Sequence, residues 1–177
     1  METLAPKRIC LIGPESTGKS ELAQFLAQHF GAAMSNEYAR EYAEARANEL
    51  TADDVEPIAR GQAALLDRAL AESRGLVIHD TDLLSTVVYA RHYYGSCSPS
   101  IEAEARKRRA DHYLLLDTDL PWIADAARDA GGDAREDLFD GFRAALDELG
   151  CEWTIVSGDR EERQRAALDV VQRYAAT

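Results

Sequence analysis

The sequence predicts an α/β fold: a five-stranded parallel sheet with helices covering both faces. Two observations carry this. Five short apolar runs recur along the chain, at residues 8–12, 32–37, 76–80, 112–117 and 152–157, and longer helix-prone stretches separate them. The runs are nearly continuous rather than alternating, as strands buried on both faces require.

Each element has its own signal. "RICLI" is the first strand and leads into "GPESTGKS". A helix is expected from Gly18 to about His29, followed by a weak strand, "AAMSNE". "EYAREYAEARANEL", residues 37–50, is helix-prone throughout. Thr51, with Asp54 three residues on, then offers a new helix start. Pro57 argues for a late start or a kink there. That helix is expected to reach about Ser73 and to stop at Gly75. Further helices are expected over 83–94, 101–110, 122–130, 135–149 and 160–175.

The chain has 177 residues, enough for one domain with its own core, and a single domain over 1–177 is the expectation. No internal repeat, low-complexity tract or linker interrupts it. No apolar run approaches the ~20 residues that span a bilayer, and the start, "METLAPKRIC", lacks the long apolar stretch of a signal peptide. Membrane insertion is not expected, and a cytoplasmic location is. The net charge of −12 argues against general nucleic-acid binding, because phosphate backbones need a positive surface. Cys10, Cys97 and Cys151 show neither disulfide nor zinc-ligand spacing and read as buried thiols.

The chemistry concentrates at "GPESTGKS", residues 13–20, a complete G-x-x-x-x-G-K-[ST] motif between a strand and a helix. Gly13 and Gly18 permit the backbone angles that let the N–H groups of Glu15, Ser16 and Thr17 surround phosphate oxygens. The helix that follows adds its positive end. Lys19 supplies a point charge for the β and γ phosphates, and the Ser20 hydroxyl suits Mg²⁺. Glu15 is unusual, a negative charge in a loop built for phosphates. It either pairs with a closing arginine, touches the acceptor, or points into solvent.

Four further stretches bear on the site. "LVIHDTD" ends an apolar strand in acids: Asp80 is a candidate magnesium ligand and Asp82 a candidate to face the acceptor. "NEYAREY" should lie at the carboxyl edge of the sheet. There Glu37 would take a hydroxyl or its proton, with Tyr38 and Arg40 orienting the substrate. A surface helix with an i,i+3 ion pair is the alternative. "LPWIADAARDAGGDARED" carries Arg128 and Arg135 around Gly131 and Gly132, and suggests a lid over about 121–140. "SGDREER" follows the last strand and forms a turn near where an adenine could rest. Two features read as packing or solvated surface: "RKRR", residues 106–109, and "YARHYY", residues 89–94.

Taken together, "GPESTGKS", "EYAREY", "HDTD" and "LPWIADAAR", in this order, resemble the NadR-type ribosylnicotinamide kinase domain within the P-loop kinases. The resemblance implies a P-loop NTPase fold of the nucleoside-kinase kind, three layers deep. It implies ATP and Mg²⁺ as cosubstrate and ion, and nicotinamide riboside phosphorylated at its ribose 5′-hydroxyl. It assigns site roles to Glu37, Arg40, Asp80, Asp82 and Arg128. NadR-type proteins usually carry an adenylyltransferase domain ahead of the kinase, for which this chain is expected to have no room. The family's aromatic contacts to the pyridine ring fall here on Asn36 and Leu65, with Tyr38 or Tyr42 as possible substitutes. A kinase for another nucleoside, or a nucleotide-dependent ATPase or GTPase switch, stays open at this point, as does the choice between Glu37 and Asp82 as base.

Overall fold

The computed structural model describes residues 5–120 and 133–175. Its strands are β1 (Lys7–Ile12), β2 (Ala33–Ser35), β3 (Leu76–Asp80), β4 (His112–Leu116) and β5 (Glu152–Val156). They form one sheet in the order β2-β3-β1-β4-β5, with every neighbouring pair parallel. Parallel neighbours need a crossover, usually a helix, to join them. The helices among the described residues are α1 (Lys19–Phe30), α2 (Tyr38–Glu44), α3 (Val55–Glu72), α4 (Leu83–Tyr94), α5 (Pro99–Lys107), α6 (Asp133–Leu149) and α7 (Arg160–Ala175). The helix expected over 122–130 lies outside the described residues, as does most of the expected lid. Residues 133–140 of that lid form the start of α6.

Side chains alternate across β1 with the period of two that a strand imposes. Ile9 and Leu11 pack with Leu22 and Leu26 of α1 and Val171 of α7. Cys10 and Ile12 face the other way, onto Leu84 and Val88 of α4 and Phe142 and Leu146 of α6. Both faces are thus covered, and for this reason β1 reads as an unbroken apolar run. A third cluster joins α3, α4 and α5 through Leu66, Val87 and Ile101. Cys10 is buried as expected, while Cys97 and Cys151 are half-buried, and all three are free thiols.

The helix expected over 37–50 stops at Glu44. Ala47 and Asn48 adopt φ of 51° and 62°, left-handed conformations that a right-handed helix cannot continue through. The Asn48 N–H turns back to the Ala43 carbonyl at 2.8 Å and closes the helix end. Thr51 then donates its N–H to the Asp54 carboxylate at 2.8 Å, opening a short 3-10 turn that leads into α3. Pro57 therefore falls in the first turn of α3, where its missing N–H forfeits no helical bond.

The register gathers the functional loops at one edge. Leu11 pairs with Asp80, so the ends of β1 and β3 lie side by side. Ser35 pairs with His79, which brings Glu37, two residues beyond Ser35, to the same carboxyl edge. Open α/β sheets bind ligands there.

Candidate active site

The loop of residues 13–18 joins β1 to α1. Gly13 has a φ of 147°, and a Cβ there would stand 2.8 Å from the Leu116 carbonyl oxygen. Only glycine fits so close to the neighbouring strand. The Thr17 hydroxyl donates to the Pro14 carbonyl at 2.8 Å, which braces the loop. Lys19 Nζ donates to the carbonyls of Gly13 and Pro14 at 2.9 and 2.8 Å, so its charge lies over the loop. Gly18 is the cap residue of α1, and the unpaired N–H groups of that helix end favour an anion.

Beside the loop, the Ser20 hydroxyl donates to Asp80 Oδ2 at 2.6 Å. Asp80 Oδ1 is buried and has no hydrogen-bond partner among the described residues. A carboxylate oxygen left without a proton donor, next to a hydroxyl, forms a pair of hard oxygen ligands. Magnesium uses such pairs and completes its shell with phosphate and water. Burial, and after it the charge of Glu37, holds the Asp80 carboxyl above its usual range, against the pull of Ser20 and Lys19. A bound cation would relieve both penalties.

A cavity of about 260 Å³ opens between α4 and the segment from Glu37 into α3. Glu37, Thr81 and Tyr89 line it, with Asn48, Tyr93 and Tyr94. The Glu37 side chain is buried and lies 3.9 Å from Arg40 Nε, so the i,i+3 ion pair of the alternative reading exists, and its acid also lines the cavity. One side chain of α3 fixes the backbone on both sides of Glu37. The Tyr38 N–H donates to Gln62 Oε1 at 2.9 Å, and Gln62 Nε2 donates to the Asn36 carbonyl at 3.1 Å. Tyr38 itself packs its ring on Gly61 of α3. Among the described residues, Tyr38, Arg40, Asn36 and Leu65 do not line the cavity.

Glu15 is 1% exposed and accepts a hydrogen bond from the Tyr89 hydroxyl at 2.8 Å. It does not point into solvent; it points to the cavity wall. Arg135, in the first turn of α6, is buried and donates to the carbonyls of Ser16 and Leu120, each at 3.3 Å. It therefore reaches the backbone of the phosphate loop. Arg128 lies outside the described residues.

Asp82 departs from expectation. It caps α4, accepting from the Leu84 N–H at 2.9 Å, and its other oxygen accepts from the buried Tyr113 hydroxyl at 2.6 Å. Thr81 turns the chain at a φ of 74°, so the second acid of "HDTD" is committed to the helix start and not to the cavity. Burial lifts its pKa to about 6 despite those two bonds. Of the two candidate bases, only Glu37 lines the cavity.

The reading of "YARHYY" as packing alone is corrected as well: Tyr89, Tyr93 and Tyr94 wall the cavity. Their signal was available, since residues four apart share one helix face, and that face follows the acidic strand end. "RKRR" holds to its reading in part, with Arg108 paired to Asp67 at 2.9 Å and to Glu104 on the protein's own surface. "SGDREER" contributes Arg163, which the sequence did not single out. This buried side chain donates to the carbonyls of Gly158, Thr17 and Asp117 at 2.8, 3.1 and 3.1 Å, and pairs with Asp119. It ties the phosphate loop to the loops after β4 and β5.

Known proteins resemble this chain in sequence and fold. The AAA_28 model, described as an AAA domain, matches residues 8–163. The chain belongs to the AAA_28 family. Within and beyond it, the chain is similar to the "Trifunctional NAD biosynthesis/regulator protein NadR" of Salmonella typhimurium, 30% identical over 137 residues, which cover 75% of this chain and 33% of that protein. The NadR of Escherichia coli is 31% identical over 129 residues, 71% of this chain and 32% of that protein. The chain thus spans about a third of the length of these curated relatives. A crystal structure of a NadR protein in complex with NR superposes with a TM-score of 0.83 at 28% identity, over 98% of this chain and 52% of that one. A thymidylate kinase from Ehrlichia chaffeensis, at 14% identity and a TM-score of 0.70 over 96% of this chain and 99% of its own, shares the fold. The AAA_28 chain is therefore a P-loop domain with the architecture of nucleoside and nucleotide kinases. No helix among its described residues is long and apolar enough to cross a membrane.

Proposed function

We propose that this chain is an ATP-dependent kinase that phosphorylates the ribose 5′-hydroxyl of nicotinamide riboside to give nicotinamide mononucleotide. The observation that carries the proposal is adjacency. One sheet edge sets the Ser20–Asp80 pair and Lys19 beside a cavity whose one buried acid, among the described residues, is Glu37. The likeness to NadR, which extends over almost the whole chain in the complex with NR, supports this acceptor.

The residues divide the work. The loop N–H groups and the α1 terminus bind the phosphates of ATP. Lys19 leaves the Gly13 and Pro14 carbonyls for the β and γ phosphates. Ser20 and Asp80 would hold magnesium, which when bound would supply charge neutralisation at the phosphate oxygens. Glu37 accepts the hydrogen bond of the 5′-hydroxyl and directs it at the phosphorus, while Arg40 holds Glu37 in place. Arg135 and Arg128 add positive charge around the transferred group and help exclude water. Positioning and electrostatics carry most of such a reaction, so Glu37 need not be a strong base.

A panel of nucleosides, each incubated with ATP and magnesium and read by mass spectrometry, tests the proposal. Nicotinamide riboside should gain one phosphate and outpace the other nucleosides. Lys19→Ala should abolish turnover while circular dichroism stays native. A different preferred nucleoside, or full activity in Lys19→Ala, would overturn the assignment.

A further inference from the structure

The wall of the cavity formed by α4 is an aromatic ladder. Tyr89 and Tyr93 stack, their ring centroids 6.1 Å apart and their planes inclined by 15°. The Tyr89 hydroxyl is fixed to Glu15, so that end of the ladder belongs to the phosphate loop. Tyr93 stands one helical turn away, about 6 Å along the axis. Tyr93 and Tyr94 are 47% and 39% exposed while lining the cavity. Large aromatic faces left partly in water at a cavity wall suit a planar ligand that covers them.

Asn48 belongs to the same cavity lining. It occupies the left-handed turn after α2, and its side-chain oxygen is buried with no hydrogen-bond partner among the described residues. A buried acceptor without a donor is unfavourable, and a ligand N–H removes the penalty. Asn36 and Leu65 stay outside the cavity lining, so the aromatic surface available to a base comes from α4.

We infer that Asn48, Tyr93 and Tyr94 form the base-recognition subsite of this kinase, where a planar heteroaromatic base lies against the tyrosines and donates an exocyclic amide N–H to Asn48 Oδ1. The inference rests on the nicotinamide riboside reading and deepens it. It assigns the residue that separates the amide of nicotinamide from the carboxylate of nicotinate. A carboxylate brings no proton to Asn48 Oδ1; it brings two more acceptors and a charge. Sites built around a hydrogen bond reject ligands that leave it unmade far more strongly than apolar pockets reject small changes in size.

The test compares nicotinamide riboside with nicotinic acid riboside under saturating ATP. Three proteins are measured beside the wild type: Asn48→Gly, Asn48→Asp and Tyr93→Ala/Tyr94→Ala. Glycine accepts the left-handed backbone at this position, so Asn48→Gly keeps the turn. The wild type should favour the amide by about tenfold or more in kcat/KM. Asn48→Gly should raise KM for nicotinamide riboside about tenfold, hold kcat within about threefold and lose the preference. Asn48→Asp keeps an acceptor oxygen, so it should retain the amide and reject the acid more strongly. The tyrosine pair variant should raise KM for both ribosides and leave KM for ATP unchanged. If the wild type phosphorylates nicotinamide riboside and Asn48→Gly keeps both its KM and its preference, the subsite is wrong and the kinase reading stands. If the wild type phosphorylates neither riboside, the kinase reading falls and takes the subsite with it.

Discussion

The hydroxyl of Tyr89 donates to the carboxylate of Glu15 at 2.8 Å, joining the wall of the cavity to the phosphate loop. The bond accounts for an acid in a loop designed for anions. Glu15 is buried, and a buried carboxylate must be hydrogen-bonded. Tyr89 supplies that donor from a helix that also lines the cavity, so the phosphate loop and the cavity share one connected wall.

Tyr89→Phe keeps the ring and removes only that donor. Hydrogen bonds to charged groups contribute roughly 1.5–3 kcal/mol, and a loss of that order in urea unfolding is expected. The decisive measurement is a double-mutant cycle with Glu15→Gln. The two changes should be non-additive by at least about 1 kcal/mol, because each removes the same bond. Strictly additive effects would show that the contact contributes nothing.

Gly61 gives a prediction in which the helix rule points the wrong way. It sits inside α3, where alanine would ordinarily stabilise by about 1 kcal/mol. A Cβ at Gly61, however, would overlap the ring of Tyr38, and Tyr38 adjoins Glu37, with its N–H held by Gln62. Gly61→Ala should therefore lower the melting temperature instead of raising it. It should also raise KM for the acceptor more than KM for ATP, since the displaced segment carries Glu37 and not the phosphate loop. A gain in stability with unchanged kinetics would mean that the ring moves aside freely.

These residues also show what the sequence could and could not convey. The strands and the phosphate loop were legible because their signals are local: apolar runs, a fixed motif, an acid at a strand end. Asp82 misled because "HDTD" does not reveal that Thr81 takes a left-handed turn and hands the second acid to a helix cap. The end of α2 was missed because Ala47 is a good helix former by itself, and the left-handed turn appears only in the fold. Gln62, Asn48 and Arg163 were invisible for another reason. Each acts across more than ten residues of chain, on the backbone of another segment or on the shared cavity, and no spacing rule encodes such a partner. Tyr89, Tyr93 and Tyr94 were visible as a helix face, but whether that face meets core or cavity depends on how the segment around Asn48 packs opposite it.

His79 supplies a pH signature of the sheet that positions the site. It is buried in β3, and its Nδ1 is hydrogen-bonded to the Ser35 hydroxyl at 2.6 Å. Burial, with a smaller push from Arg8, lowers its pKa from 6.5 to about 4. The folded chain therefore keeps a neutral imidazole over a range in which the unfolded chain is protonated. Stability due to this group is full above pH 6.5 and declines as the pH falls toward 4. The shift corresponds to roughly 3 kcal/mol across that window. The whole protein need not show it, because Asp82, raised from 3.8 to about 6, works in the opposite direction. There the folded state binds the extra proton, and acid stabilises. The difference between wild type and His79→Gln cancels Asp82 and every other unchanged group. At pH 7 the variant should be the less stable protein, having lost a fitted side chain and its bond to Ser35. On acidification the wild type should lose its advantage by roughly 3 kcal/mol as the pH approaches 4, measured by urea unfolding at each pH. A difference that stays constant from pH 7 to pH 4 would show that the imidazole is not held neutral in the fold.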